Sequence, residues 1–170
     1  MSDIKSRIDR LKLQVNLQSR SLDTIVGLAK DKETLLATMP TIKPVRSDML
    51  SKDLRLLSGF GPRLHPVFKV MRMHNGIDFT AKSGTPIIAS GDGVVHRAER
   101  AGGFGNLVVI KHGNGYETYY AHMSKINVKT GDKVERGQVI GLVGSHGNST
   151  AAHCHSQGYY TVQTVNPLLY

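Results

Sequence analysis

The sequence predicts a mainly β protein, an antiparallel sheet domain preceded by an α-helical arm, and three observations lead there. From Ile4 onward, apolar residues recur at Ile4, Ile8, Leu11, Val15, Leu22, Ile25 and Ala29. Steps of three, four or seven mark the seam of an amphipathic helix or a short coiled coil. Pro40 and Pro44 then end that helix, because proline lacks the amide proton and pushes its predecessor out of the α region. Farther on, the texture changes to short β-branched runs separated by glycine turns. The expected organisation is an arm over residues 1–38, a linker over 39–52 and a β domain over 53–170.

The strands follow in order. Pro86–Ala89, Gly93–Val95, Leu107–Ile110, Tyr116–Tyr120 and Gln138–Val143 are rich in Val, Ile and Tyr. Gly91-Asp92-Gly93, Asn114-Gly115 and Thr130-Gly131-Asp132 provide turns at hairpin spacing. The arm's seam suits a dimerisation or docking role, and it equally suits a helix packed on its own domain.

Composition narrows the function classes. With 22 Lys and Arg against 13 Asp and Glu, the chain carries a formal charge of +9, which favours anionic partners such as nucleic acid, acidic lipid or acidic wall polymers. Residues 1–50 hold nine basic and six acidic side chains, net +3, so the rest holds +6 and the charge is spread along the chain. Without a basic run or any Trp, no nucleic-acid partner is expected. The single cysteine, Cys154, excludes an internal disulfide. No stretch approaches the roughly 20 apolar residues of a membrane span, and Met1–Leu11 lacks a signal-peptide core.

All eight histidines lie beyond residue 64, so any site belongs to the β domain. His74 and Asp78 are four apart, one face of a strand, with Gly76 between them permitting a sharp turn. Alone, the pair reads more readily as a surface histidine followed by a strand aspartate. His153-Cys154-His155 is more informative, because the period of two in a strand turns both imidazoles to one face and the thiol to the other. That argues against a three-ligand clip and against a histidine-assisted thiol, and it reads Cys154 as a small core residue. His122 closes an aromatic strand. Together, Asp78 and these histidines exceed the three N/O ligands of a catalytic zinc, leaving groups to handle protons and making amide hydrolysis the natural reaction class.

The order of motifs is similar to that of one known family. Ser58–Pro66, His74–Asp78, Gly102–Asn106, His112–Tyr116, Tyr120–Ser124 and Gly131–Gly141 resemble the lysostaphin-type, LytM-domain zinc endopeptidases that cut peptidoglycan cross-links. The resemblance runs from about Ser58 to Pro167. It implies a LytM-like β fold, one Zn2+ per chain held by His74, Asp78 and His155, and catalytic roles for His122 and His153. His65, His96, His112 and His146 are left as structural or surface groups. Around the second motif the chain departs from the family pattern, with Ala151, Ala152, Cys154, Ser156 and Gln157 replacing a glycine, a proline, a leucine, an aromatic and a carboxylate. A Leu-to-Cys change at a buried position costs on the order of 1–3 kcal/mol.

The function expected from the resemblance is a zinc-dependent endopeptidase acting on peptidoglycan stem peptides. The alternative is a regulatory or binding module of the same fold that activates another wall hydrolase. Either reading implies a periplasmic or extracellular location. A homo-oligomer or protein partner would be held through the helix, and a membrane anchor would lie ahead of residue 1.

Overall fold

The computed structural model describes residues 2–46, 58–64, 70–149 and 151–167. The chain divides into two units, Met1–Leu36 and Ala37–Tyr170. The first is almost entirely the helix α1, Ser2–Thr38. Asp3 in its first turn complements the helix dipole. The predicted seam is present and solvent-exposed along its length: Ile4, Ile8, Leu11, Val15, Leu22 and Ile25 all face water within this unit. No helix among the described residues is long and apolar enough to cross a membrane.

The second unit is antiparallel throughout, as the strand pattern predicted. A small hairpin pairs β1 (Gly61–Leu64) with β2 (Met71–His74). The main sheet contains β3 (Gly76–Thr80), β4 (Pro86–Ile88), β5 (Gly93–Ala101), β6 (Gly105–His112), β7 (Tyr116–Ile126), β8 (Lys133–Val134), β9 (Val139–Val143), β10 (His153–Tyr160) and β11 (Gln163–Val165). Strand β10 pairs with β7 along one edge, while β3 and β11 share the other end to end. Strand β7 pairs with β10 through Ala121 and with β9 from Met123 onward.

Alternation along the strands builds two apolar clusters. Ile77 and Phe79 of β3, Val108 and Ile110 of β6, Tyr120 of β7 and Cys154 of β10 point into the larger one. Leu107, Val109 and Ala121 form the smaller one on the opposite side, with Phe104 and Tyr119 against it. The cysteine is therefore a core residue, fully buried, as its position between two histidines required.

Two findings depart from the sequence reading. Residues 39–46, read as the start of a linker, are packed on the β unit: Ile88 N–H donates to the Pro44 carbonyl (2.9 Å), and Val45 is fully buried in the core. Burying one valine side chain stabilises by roughly 1.5–3 kcal/mol, so this stretch behaves as an irregular core segment. Its prolines end the helix as expected, but proline content does not report burial. The β1–β2 hairpin was not anticipated: Gly61–Leu64 opens on Gly-Pro, residues that read as a turn, and Met71–His74 is only four residues long with its first three exposed. His65 and residues 47–57 lie outside the described residues.

One histidine set aside in the sequence serves the core. His112 Nδ1–H donates to the Asp92 carbonyl (2.8 Å), and its Nε2 is 2.7 Å from Thr118 Oγ1. Thr118 Oγ1 is in turn 2.8 Å from the Tyr120 hydroxyl, which accepts the Ser90 N–H at 3.0 Å. Burial lowers the His112 pKa from its ordinary 6.5, opposed only in part by the Asp92 carbonyl. Below that pH the unfolded chain takes up a proton that folded His112 refuses, so stability falls as pH drops from 6.5 toward the folded value. A His112→Gln variant is expected to show a shallower loss of thermal stability than the parent across that acid limb, measured by melting temperature against pH.

Candidate metal centre

The register of β3 on β10 assembles the site. Asp78 stands directly opposite His155, and Thr80 opposite His153. Directly opposed residues point to the same face, and Phe79 opposite Cys154 takes the other face into the core. Asp78 N–H turns away from β10 to donate to the Ser58 carbonyl (3.0 Å). The Asp78–His155 pair is thus the non-hydrogen-bonded kind, in which side chains approach most closely.

The resulting distances are short. Asp78 Oδ1 lies 2.6 Å from His155 Nδ1 and 3.3 Å from His74 Nε2, and those two nitrogens are 3.2 Å apart. One ligand atom from each of the three residues falls within 4.8 Å of the others, and all three residues are buried. His153 Nε2 is 3.7 Å from the same Oδ1. The His122 ring is centred 4.7 Å from the His153 ring and 5.9 Å from the His155 ring. All five residues singled out in the sequence, His74, Asp78, His122, His153 and His155, therefore meet in one place.

His122 reaches that place through a distortion. Between the pairs Val108–Tyr120 and Asn106–Met123, one residue of β6 faces two of β7, Ala121 and His122. Such a β-bulge lets consecutive residues share a face. His122 sits at φ 60, a left-handed conformation that costs a non-glycine residue on the order of 1–3 kcal/mol.

Three of the four imidazoles are oriented in the same way. His74 Nδ1–H donates to the Gly59 carbonyl (2.7 Å), His122 Nδ1–H to the His146 carbonyl (2.7 Å) and His153 Nδ1–H to the Ala151 carbonyl (2.8 Å). Each bond fixes the tautomer and turns the Nε2 lone pair inward. Ser149 Oγ is also 3.2 Å from His153 Nδ1. The His146 carbonyl is held by two interlocked glycine turns. A Cβ on Gly105 would stand 2.4 Å from that oxygen, and one on Gly147 would stand 2.5 Å from the Gly103 carbonyl.

The electrostatics suit a cation. Burial by itself would raise the Asp78 pKa, but the neighbouring His155 and His74 imidazoles overcome it and hold the carboxyl well below the usual range. Burial lowers His155, opposed by Asp78, and pushes His122 down to about 4, opposed by the His146 carbonyl. A buried carboxylate beside two buried imidazoles offers two nitrogens and one oxygen, the donor set and number of a catalytic zinc site with an open position. Burial pushes the Cys154 thiol up and its side chain faces the core, so sulfur is no part of this set.

Sequence reasoning missed the outer groups. The Gly59, His146 and Ala151 carbonyls carry no residue-type signal, and Arg63, whose Nη2 is 3.1 Å from Asp78 Oδ2, lies within the Ser58–Pro66 motif, where residue type alone gives it no role. Thr80 Oγ1 is the one buried side-chain N or O atom among the described residues without a hydrogen-bond partner, and its strand position is beside His153 on the site face. The ring of His146 and that of His96 are exposed.

Residues 72–167 match the model of peptidase family M23. DD-carboxypeptidase/endopeptidase Mpg of Neisseria meningitidis is 48% identical over 114 residues, 67% of this chain and 26% of that protein. Peptidoglycan DD-endopeptidase ShyA of Vibrio cholerae is 50% identical over 115 residues, 67% of this chain and 27% of that one. The chain thus spans about a quarter of the length of these curated relatives. Among solved structures, a zinc-containing peptidase from Vibrio cholerae superposes with a TM-score of 0.67 at 37% identity, covering 75% of this chain and 38% of that one. The catalytic domain of lysostaphin from Staphylococcus simulans does so at 0.60 and 36%, covering 65% and 86%. With more than half of its length under the family model and its site histidines inside that span, the chain belongs to peptidase family M23.

Proposed function

We propose that this protein is a zinc-dependent endopeptidase that hydrolyses peptide cross-links of bacterial peptidoglycan, acting outside the cytoplasmic membrane where that polymer lies. The observation that carries the reading is the convergence of His74 Nε2, Asp78 Oδ1 and His155 Nδ1 within 4.8 Å, with two further imidazoles beside them. Those three atoms are the proposed ligands. Zinc held there supplies Lewis acidity, acidifying a water and polarising the scissile carbonyl.

The residues of the chain do the rest. His122 and His153, each with Nδ1–H tied to a carbonyl, present Nε2 to the reacting groups. In that tautomer Nε2 accepts a proton from the attacking water, and once protonated it donates to the developing oxyanion or to the leaving nitrogen. The pair covers both acts without moving, since each ring is anchored at its far nitrogen. The names of the relatives, DD-endopeptidases of peptidoglycan, support the substrate class. The net charge of +9 suits an acidic wall polymer. The exposed seam of α1 supports a docking role for the arm, toward a second copy or another protein.

Purified protein is expected to hold one zinc per chain by metal analysis, and His74→Ala to hold little and to release no muropeptides from isolated wall. Stoichiometric zinc with no new fragments, together with faster cleavage by an added wall amidase, would instead identify a regulatory module. His122→Ala and His153→Ala should each keep the metal yet lose about 10²–10⁴-fold in cleavage rate, the range for a missing general acid or base. Gly105→Ala, whose new Cβ would stand 2.4 Å from the carbonyl that orients His122, should lower the rate with zinc content unchanged, assayed by fragment release and metal analysis side by side.

A further inference from the structure

The stretch Ser58–Leu64 touches both members of the His74/Asp78 pair. The Ser58 carbonyl accepts Asp78 N–H at 3.0 Å, the Gly59 carbonyl accepts His74 Nδ1–H at 2.7 Å, and Arg63 Nη2 donates to Asp78 Oδ2 at 3.1 Å. The hairpin register ties the two groups further: Gly61 is paired with His74 and Arg63 with Arg72. The hairpin that carries one proposed ligand thus also carries the cation that grips another.

The two oxygens of Asp78 have separate duties. Oδ1 faces three imidazole nitrogens at 2.6, 3.3 and 3.7 Å, from His155, His74 and His153. Oδ2 faces the Arg63 guanidinium. The Asp78 side chain is only 4% exposed and that of Arg63 is 32%, so the carboxylate has no access to bulk water as an alternative partner while the arginine reaches the surface. The backbone of Asp78 is clamped by β10 on one side and Ser58 on the other. What remains free is rotation of the carboxylate itself, and a charge-assisted hydrogen bond to one oxygen opposes it.

A carboxylate can bind a divalent ion through one oxygen or two. Bidentate binding by Asp78 would occupy a position that a hydrolytic zinc site must leave for water and substrate. We propose that Arg63 is a positioning residue that holds Asp78 Oδ2, so that Asp78 offers the ion Oδ1 alone and the open position is kept. This inference rests on the zinc reading given above.

Cobalt(II) reports the difference, because its visible absorption is intense in a four-coordinate site and weakens as ligands are added. The full chain is loaded with one equivalent of Co2+, and parent, R63K and R63M are compared, with folding checked by circular dichroism. The parent is expected to show the intense four-coordinate band, R63M a band weakened several-fold, and R63K a band close to the parent's, because an ammonium also grips Oδ2. Identical spectra for R63M and the parent overturn the assignment. Independently of any variant, X-ray absorption on the zinc-loaded parent should find a carboxylate bound through one oxygen, and a carboxylate bound through both overturns it equally. A parent that takes up neither cobalt nor zinc refutes the metal reading itself, a result distinct from either of these.

Discussion

Everything at the site depends on one cross-strand pairing, Asp78 of β3 against His155 of β10. Because side chains alternate with a period of two, a slip of one residue would put Cys154 opposite Asp78 and send both imidazoles toward the apolar core. The core prevents that slip. Phe79 against Cys154 and Ile77 against Ser156 fix the same register from the opposite face, in a layer that Ile77 and Phe79 fill with large apolar side chains. Packing energy on one side of the sheet therefore sets the ligand geometry on the other.

Main-chain carbonyls then do the fine positioning. Three of the four imidazoles are steered by a peptide oxygen at Nδ1, a group that side-chain substitution leaves in place. The cost is borne in the backbone: a left-handed His122 in a bulged strand, and turns in which Gly105 and Gly147 are packed too closely for a Cβ. Backbone strain concentrated beside reacting groups is stable only where the surroundings over-determine it. Here β6, with the Asn106 amide donating to the Met123 carbonyl at 2.9 Å, closes the sheet immediately after the bulge.

The parts of this arrangement legible in the sequence are those that follow from periodicity. The alternation of His153, Cys154 and His155 required a two-faced strand, and the four-residue step from His74 to Asp78 fitted one face with a turn at Gly76. The resemblance joined these to His122, whose bulge has no compositional signature. Arg63, the Gly59 carbonyl and the burial of Val45 were not legible, because each depends on where a distant irregular segment crosses the sheet. Pro40 and Pro44 were read as punctuation, and they also shape a segment that covers the core.

The fully buried Cys154 has a consequence for where such a domain can work. Of the sulfur groups in the chain, only the cysteine thiol can form a mixed disulfide or offer a metal ion a thiolate. Here it is sealed in hydrocarbon on the far side of the strand, its thiol pushed away from the reactive thiolate form. The proposed ligand set is built from imidazole and carboxylate alone, and thiol oxidation leaves those donors untouched. It has no thiol to lose to a mixed disulfide.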